Sequence, residues 1–463
     1  MKIDTYTFIL CELRDIIKGT KWENHVFAVG GCVRDEIMHN EIKDIDLCVD
    51  ICNGGIDFAK WLEENGYTKG SVVTYENFGT AMFHLKKFPD IELEVVQTRS
   101  ECYHDAKTRN PETSFGTIKQ DWERRDFTIN AMYKNVSTME LIDFNNRGQE
   151  DIKNKIIRTC GDPDVIYMQD PLRILRMVRF ASRYGFNIEQ YTLESAKDYI
   201  YRLDIISKER ITDEFTKMMT HSMSSLIQSL CLLHDLGGFE HIIPDLYEIG
   251  SYDLVKIIDD FKQTTSEYLK PNITVVLTKL LYYSYKLYSS YPYYSMNKSE
   301  YIKHVLQKVL IYPNDITNEV IFLTKMNDKL HELCTDISVS IYEHAYEIRR
   351  IMNLCGDEHS FWKATVCGSK RVYNKFHKEL DNSTPTLFEE FSERDAKFYD
   401  YKLPIDGEDV MRVFNIEPSP KVKKILDRVF TFALINTDKT SRKDCLDYLT
   451  YLKQTEDNGW LEC

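Results

Sequence analysis

The chain has 463 residues, 43% apolar and 29% charged, with a formal net charge of -14. At roughly one folding unit per 150 residues this length implies about three or four units, and the composition is that of a globular protein. So acidic a chain cannot coat nucleic acid by bulk attraction, and any RNA contact must be confined to a local cationic surface.

From the N-terminus, residues Met1 to Lys21 carry Asp4, Glu12 and Asp15 within an amphipathic pattern. That pattern fits neither a secretion signal nor an Arg-rich transit peptide, so the cytoplasm is the expected compartment. Val26 to Val29, Asp46 to Val49, Thr80 to Leu85 and Glu92 to Thr98 read as strands by their β-branched and alternating content. From about Asp151 onward apolar residues recur three and four apart, the helical period. An α/β head followed by a long helical remainder is expected, with joints at Asn145 to Gly148, around Ser222 to Ser225 and at Asp381 to Pro385. The tyrosine-rich stretch Tyr282 to Tyr294 reads as a helix packing its rings rather than an RNA-stacking surface. No apolar run is long enough to cross a bilayer. The 12 cysteines include no Cys-x-x-Cys pair, so neither a disulfide framework nor a structural zinc site is expected.

Gly30 and Gly31 follow a strand and precede a helix, so backbone amides there can approach phosphate oxygens with no Cβ in the way. Arg34 and Asp35 follow, and then Asp44-Ile45-Asp46. Residues two apart on a strand share a face, so Asp44 and Asp46 present two carboxylates side by side. Solvated acids in a turn would explain a bare Asp-x-Asp. Coupled to the upstream glycines, the pair points instead to a hard cation such as Mg²⁺, completed by substrate phosphates. Arg124-Arg125-Asp126-Phe127-Thr128-Ile129-Asn130 gathers cations and an amide that can hold a triphosphate and a ribose hydroxyl. Further on, Gln169-Asp170-Pro171 opens a helix, with Asp170 as its N-cap and Pro171 at its first position. Arg173, Arg176 and Arg179 lie along one side of that helix, the first where the macrodipole disfavours a cation, so an anion is expected beside them.

These blocks resemble the class II tRNA nucleotidyltransferase (CCA-adding enzyme) and bacterial poly(A) polymerase family. Gly30-Gly31-Cys32-Val33-Arg34-Asp35 with Asp44-x-Asp46 looks like its first motif, with Asn40 in place of the usual loop glycine. Residues Arg124 to Met132 look like its second. Phe78-Gly79-Thr80 and the strand ending at Arg99 also resemble the family's head, and there Glu94 is a candidate third acid. Asp143-Phe144, Gly148, Asp151-Ile152 and Arg158 resemble the hinge between head and neck. Residues Ser207 to Lys217 resemble the closing neck helix, with Ser207 as its N-cap. The resemblance implies an α+β nucleotidyltransferase head of the DNA polymerase β type with a mixed sheet, followed by an all-α neck, body and tail. The corresponding ranges are 1–148 for the catalytic head, 149–222 for the neck, 223–380 for the helical body and 381–463 for the tail.

It further implies addition of CCA to the 3′ end of tRNA from CTP and ATP without a template, with Mg²⁺ as cofactor and pyrophosphate released. Asp44, Asp46 and Glu94 would be catalytic, Asp44 and Asp46 holding the metal. Gly30, Gly31, Arg34, Arg124, Arg125, Asp126, Asn130, Asp170, Arg173, Arg176 and Arg179 would bind nucleotide. In the family an aspartate and an arginine, here Asp170 and Arg173, serve as an amino-acid template for the base, although Gln169 stands where glutamate is usual. The chemistry is consistent: cytosine and adenine both present an amino donor beside a ring-nitrogen acceptor, and uracil and guanine present the reverse. A wrong base would leave buried polar groups unpaired. Residues Arg99 to Phe115, with Glu101, Tyr103, Lys107, Arg109 and Pro111, look like the flexible loop of full CCA-adding enzymes. A poly(A) polymerase, or an enzyme adding only A or only CC, is the alternative. His234-Asp235 could suggest a metal phosphohydrolase, but no further ligands accompany it, and a helix ending at Gly237-Gly238 is expected. Leu403 to Met411 with Lys421, Lys423 and Lys424 resemble the bacterial tail that grips the tRNA elbow.

Overall fold

The computed structural model describes residues 1–76, 79–102, 112–247, 249–264, 270–290, 295–333, 351, 354–355, 363–364, 367, 402–435 and 441–454. The chain forms two compact units, Met1–Tyr247 with Val309–Ile311, and Glu248–Lys308 with Tyr312–Cys463.

The first unit is built on a mixed sheet. Its strands are β1 (Val26–Val29), β2 (Ile45–Val49), β3 (Val73–Tyr75), β4 (Thr80–Leu85), β5 (Phe88–Gln97), β8 (Tyr133–Asn135) and β9 (Leu141–Ile142). Their spatial order is β3-β4-β5-β2-β1-β8-β9. Strands β2 and β5 run parallel; the remaining pairs of this sheet, among the described residues, are antiparallel. The four expected strands are therefore present, with Asp44 lying just before β2 rather than within it. The segment expected to be a flexible loop has described flanks that pair as a hairpin, β6 (Arg99–Cys102) with β7 (Glu112–Phe115). Residues 103–111 lie outside the described residues, as does Phe78.

Alternation along β2 and β5 decides where the chemistry goes. Ile45, Leu47 and Val49 of β2, with Leu93 and Val95 of β5, bury themselves in one core. That core is closed by α1 (Ile3–Ile17), α2 (Gly31–Ile37) and α3 (Gly54–Glu64), which contribute Tyr6, Leu10, Leu13, Val33, Phe58 and Leu62. Because the side-chain period is two, the odd residues out, Asp46 and Glu94, must emerge on the opposite face. There Phe27, Val29, Cys48, Trp122, Ala131 and Tyr133 form a second, smaller core.

Helix α4 (Ile118–Glu123) starts with a capping box from Thr117 and Gln120 and delivers the Arg124-Arg125-Asp126 block. A 3-10 turn at Thr128–Asn130 comes next. The hinge helix α5 (Arg147–Asn154) lies directly on that turn: a Cβ at Gly148 would sit 2.6 Å from Met132 and 2.8 Å from the Thr128 carbonyl. Thr128 also donates to Asp151, which Arg158 pairs. Helices α6 (Pro163–Gln169), α7 (Leu172–Tyr184), α8 (Gln190–Tyr199), α9 (Lys208–Met219) and α10 (Met223–Asp235) then continue the chain. Within this helical stretch β10 (Ile156–Ile157) and β11 (Asn187–Ile188) form one short parallel pair that helical periodicity could not announce. Helix α7 begins one residue later than expected, with Pro171 as N-cap, while the Asp170 carboxylate still accepts from the Leu172 amide. Ser207 occupies the N-cap of α9 without a side-chain cap hydrogen bond. Helix α10 carries His234 and Asp235 at its end and stops at Gly237, whose φ is +71°.

The second unit, among its described residues, is helical. Ile273–Tyr288 packs Tyr288 against Tyr301 with ring centroids 4.6 Å apart, so these tyrosines are packing residues. Residues 291–294 and the expected joint at 381–385 lie outside the described residues. In the tail, helices Gly407–Phe414, Pro420–Ile435 and Arg442–Gln454 close on Ile405, Val410, Phe414, Ile425, Val429 and Leu449. Lys421, Lys423 and Lys424 are exposed on the second of these helices.

Candidate active site

The site forms where the polar face of β2 and β5 meets the Gly30 turn. The register sets Asp46 opposite Glu94, and Asp44, exposed just ahead of the strand, is near enough for its charge to act on both. Crowded carboxylates disfavour ionisation: burial, the charges of Glu94 and Asp44, and the partial offset of Arg125 and Arg34 leave the Asp46 carboxyl at about 6. Glu94 is raised as well, by burial and by Glu92 and Asp44.

Gly30 reaches this corner because its backbone is at φ +79° and ψ -126°, a region almost closed to other residues. Its Cβ direction points at Arg125 Nη1, Asp46 Oδ2 and the Asn130 carbonyl, each 3.7–3.9 Å away. One turn thus gathers residues from β2, α2 and the second motif.

The arginines are held in different ways. Arg125 donates to Asp121 at 2.9 Å and to the Tyr133 hydroxyl at 3.0 Å, and it lies over the Tyr133 ring, which leaves Nη1 turned toward Gly30. Arg124 binds the other oxygen of Asp121 and the carbonyl of Arg99. Burial alone would raise the Asp121 carboxyl, but Arg125, Arg124 and the Tyr133 hydroxyl pull it down to about 2. Asp121 and Tyr133 were not singled out in the sequence. The spacing of Asp121 to Arg124 and Arg125, three and four residues along one helix end, is a signal that could have found the first.

Arg34 is buried and forks onto Asp35 at 2.9 Å through Nε and Nη2 while Nη1 donates to the Asn130 side chain. Phe180 and Tyr184 of α7 form an aromatic bed beneath it, and the Tyr184 hydroxyl reaches Asp35. Asn130 also reaches Asp126, which Arg176 grips at 2.6 Å and 2.8 Å. Burial would raise Asp126, yet Arg176 holds it below the usual carboxylate range. Arg176 and Arg179 in turn share Glu214 of α9, at 3.6 Å and 2.6 Å. The anions beside Arg176 and Arg179 are therefore carboxylates of the chain itself, and a polar string runs from Asp35 to Arg179, with the neutral Asn130 amide joining Arg34 to Asp126.

Asp170 and Arg173 are near in sequence but do not pair. Arg173 is buried and donates to the Arg124 carbonyl at 2.6 Å, to the Ile166 carbonyl and to Gln169. It thus ties α7 to the backbone of the second motif. Asp170 instead forks with Arg210 of α9, at 2.7 Å and 3.4 Å, a partner forty residues away that no local pattern reveals.

Residues 26–158 match the family of the Poly A polymerase head domain, and residues 185–249 match the Probable RNA and SrmB- binding site of polymerase A. The chain is 26% identical over 475 residues to the tRNA nucleotidyltransferase cca2 of Schizosaccharomyces pombe, covering 92% of both chains. It is 36% identical to the CCA-adding enzyme of Enterococcus faecalis over 42% of this chain and 45% of that one. Among solved structures, a CCA-adding enzyme in apo form II superposes with a TM-score of 0.65 at 20% identity, over 96% of this chain and 95% of that one. The Thermotoga maritima CCA-adding enzyme complexed with tRNA gives 0.62 at 20% identity, over 96% and 94%. Both domain families are thus matched in order, and the chain resembles tRNA nucleotidyltransferases along nearly its whole length.

Proposed function

We propose that the protein completes the 3′ end of tRNA, adding C, C and A in turn from CTP and ATP without a nucleic-acid template and releasing pyrophosphate. The observation that carries this reading is the meeting of Asp46 and Arg125 Nη1 at the Gly30 turn, with Glu94 opposite Asp46 in register, in a chain whose relatives named for tRNA nucleotidyl transfer extend over nine-tenths of its length. Residues 1–148 serve as catalytic head, 149–222 as neck, 223–380 as body and 381–463 as the tail that contacts tRNA through its exposed lysines.

The donor set suits Mg²⁺. Mutually repelling carboxylates at Asp44, Asp46 and Glu94 call for a hard cation, and Asp44 with Asp46 would hold it. Two carboxylates would leave the ion's remaining positions to substrate phosphates and water. When bound, Mg²⁺ would favour deprotonation of the RNA 3′ hydroxyl and offset charge on the departing pyrophosphate.

The chain's own residues do the positioning. Arg125 Nη1 and the Gly30-Gly31 backbone receive the triphosphate of the incoming nucleotide, so that its α-phosphate faces Asp46. Arg34 has three of its five N–H groups committed to Asp35 and Asn130, and the two that remain reach toward phosphate or ribose. Asp126 and Asn130 fix the floor of this pocket, supported by Arg176 and Arg179. The Asp170 carboxylate accepts from the amino group of C or A, while Arg173 donates from an N–H not used on its carbonyl partners. The cytoplasm is the compartment this reading favours, as the amphipathic residues Met1 to Lys21, with their acids Asp4, Glu12 and Asp15, suggest.

Incubating the protein with Mg²⁺ and tRNA ending at the discriminator base, at C or at CC, with each labelled nucleotide, tests this directly. Stepwise growth that stops at CCA is expected. Unlimited A addition would assign it as a poly(A) polymerase, addition of A or CC alone as a partial enzyme, and no incorporation would refute the proposal.

A further inference from the structure

We infer that Arg210 is a positioning residue for base selection: it holds the Asp170 carboxylate in the orientation that reads the exocyclic amino group of cytosine and adenine. The inference rests on the proposed base-reading role of Asp170.

Three observations lead to it. First, Asp170 has no partner among the three arginines of its own helix: Arg173 turns to the Arg124 and Ile166 carbonyls, and Arg176 and Arg179 to Asp126 and Glu214. Second, Arg210 meets Asp170 as a fork, Nη2 to Oδ2 at 2.7 Å and Nη1 to Oδ1 at 3.4 Å, a geometry that fixes the plane of the carboxylate as well as its charge. The Leu172 amide binds Oδ1 from the helix side, so both oxygens are anchored from within the chain. Third, the pair is open to solvent, with side chains 45% exposed for Arg210 and 24% for Asp170. A fork so exposed adds little to stability, yet it leaves the outer lone pairs of Asp170 accessible to a base edge.

A carboxylate oxygen accepts more than one hydrogen bond. Cytosine or adenine can therefore add its amino group to Asp170 while Arg210 stays in place. Uracil O4 or guanine O6 would instead bring an acceptor against a carboxylate that cannot rotate away. Selectivity then depends on the fork: a carboxylate free to turn aside would tolerate the wrong base.

The test measures kcat and KM for CTP and UTP on tRNA lacking CCA, and for ATP and GTP on tRNA ending in CC. It uses the full chain and its R210A, R210K, D170A and R210A/D170A variants, with melting curves for each. R210A is expected to lower the ratio of kcat/KM for C over U, and for A over G, by about tenfold, the scale of one charge-assisted hydrogen bond. The loss should appear mainly as raised KM for CTP and ATP, R210K should recover part of it, and R210A should add nothing in the D170A background. An equal loss for all four nucleotides, or an undiminished effect of R210A when Asp170 is already absent, would overturn the inference. Should D170A itself leave the ratios unchanged, the base-reading role of Asp170 falls, and that failure is distinct from a failure of Arg210 alone.

Discussion

Replacing Asp121 with asparagine should loosen the nucleotide pocket from behind. Asp121 is 1% exposed and receives both motif arginines and the Tyr133 hydroxyl. Its carboxyl stands at about 2 against an ordinary 3.8, a depression equivalent to about 2–3 kcal/mol of folding free energy. Removing one partner of a buried pair costs about 3–5 kcal/mol, so about 3 kcal/mol is the expected loss at pH 7. For a unit of this size that lowers the melting midpoint by about 6–12 °C. Because the folded value is depressed, the stabilisation is fully present above the unfolded value and is lost as pH falls through the folded one. The gap between wild type and D121N should therefore close from about pH 5 toward pH 2. Arg125, no longer held on two sides, should bind the triphosphate about tenfold more weakly, read as nucleotide KM. Paired melting curves from pH 7 to pH 3 decide the matter. Equal melting at pH 7, or a gap as wide at pH 3 as at pH 7, would show that Asp121 does not hold the arginines by charge.

Asp46→Asn should lower kcat at least about 10³-fold while tRNA binding persists in a filter assay. With the Asp46 carboxyl at about 6, a proton occupies the site at pH values where an ordinary aspartate is already ionised. Mg²⁺ affinity, followed by calorimetric titration, should thus weaken about tenfold per unit below about pH 6 and level off above it. Glu214→Gln leaves Arg179 without its 2.6 Å partner and weakens the hold on Arg176. It should cost about 3–5 kcal/mol in denaturant unfolding, and a loss under about 1 kcal/mol would contradict the continuity of the polar string. Gly30→Ala has room for its methyl group but not the backbone freedom. About 1–3 kcal/mol of strain should appear as raised nucleotide KM, and unchanged kinetics would show that the turn can relax.

The sequence carried the head well because alternation and local motifs carry it. Val26–Val29 and Thr80–Leu85 are strands at the expected residues, and Asp46 lies beside Glu94 because apolar neighbours on both strands claim the other face. Strands β3, β8 and β9 escaped notice, since two or three residues leave too short a run for any period to register. The two largest surprises are pairings across distance. Tyr184 lies under Arg34, and Arg210 takes Asp170, and neither contact has a signature in the intervening residues. Of the arginines of α7, Arg176 and Arg179 meet anions, but these are Asp126 and Glu214, while Arg173, where the helix dipole argued most for an anion, meets carbonyls instead, because buried guanidiniums require partners from the chain whether or not a nucleotide is bound.

The polar string from Asp35 to Arg179 crosses the joint between head and neck, so the two are matched parts of one lock. A hybrid joined to another chain at Asn145 to Gly148 would keep Asp126 and take its partners at positions 176 and 214 from that chain, so it would hold together only where these are again an arginine and a carboxylate. Exchange between relatives would work only when the three positions match, and the same dependence means that any drift at one of them must be answered at another.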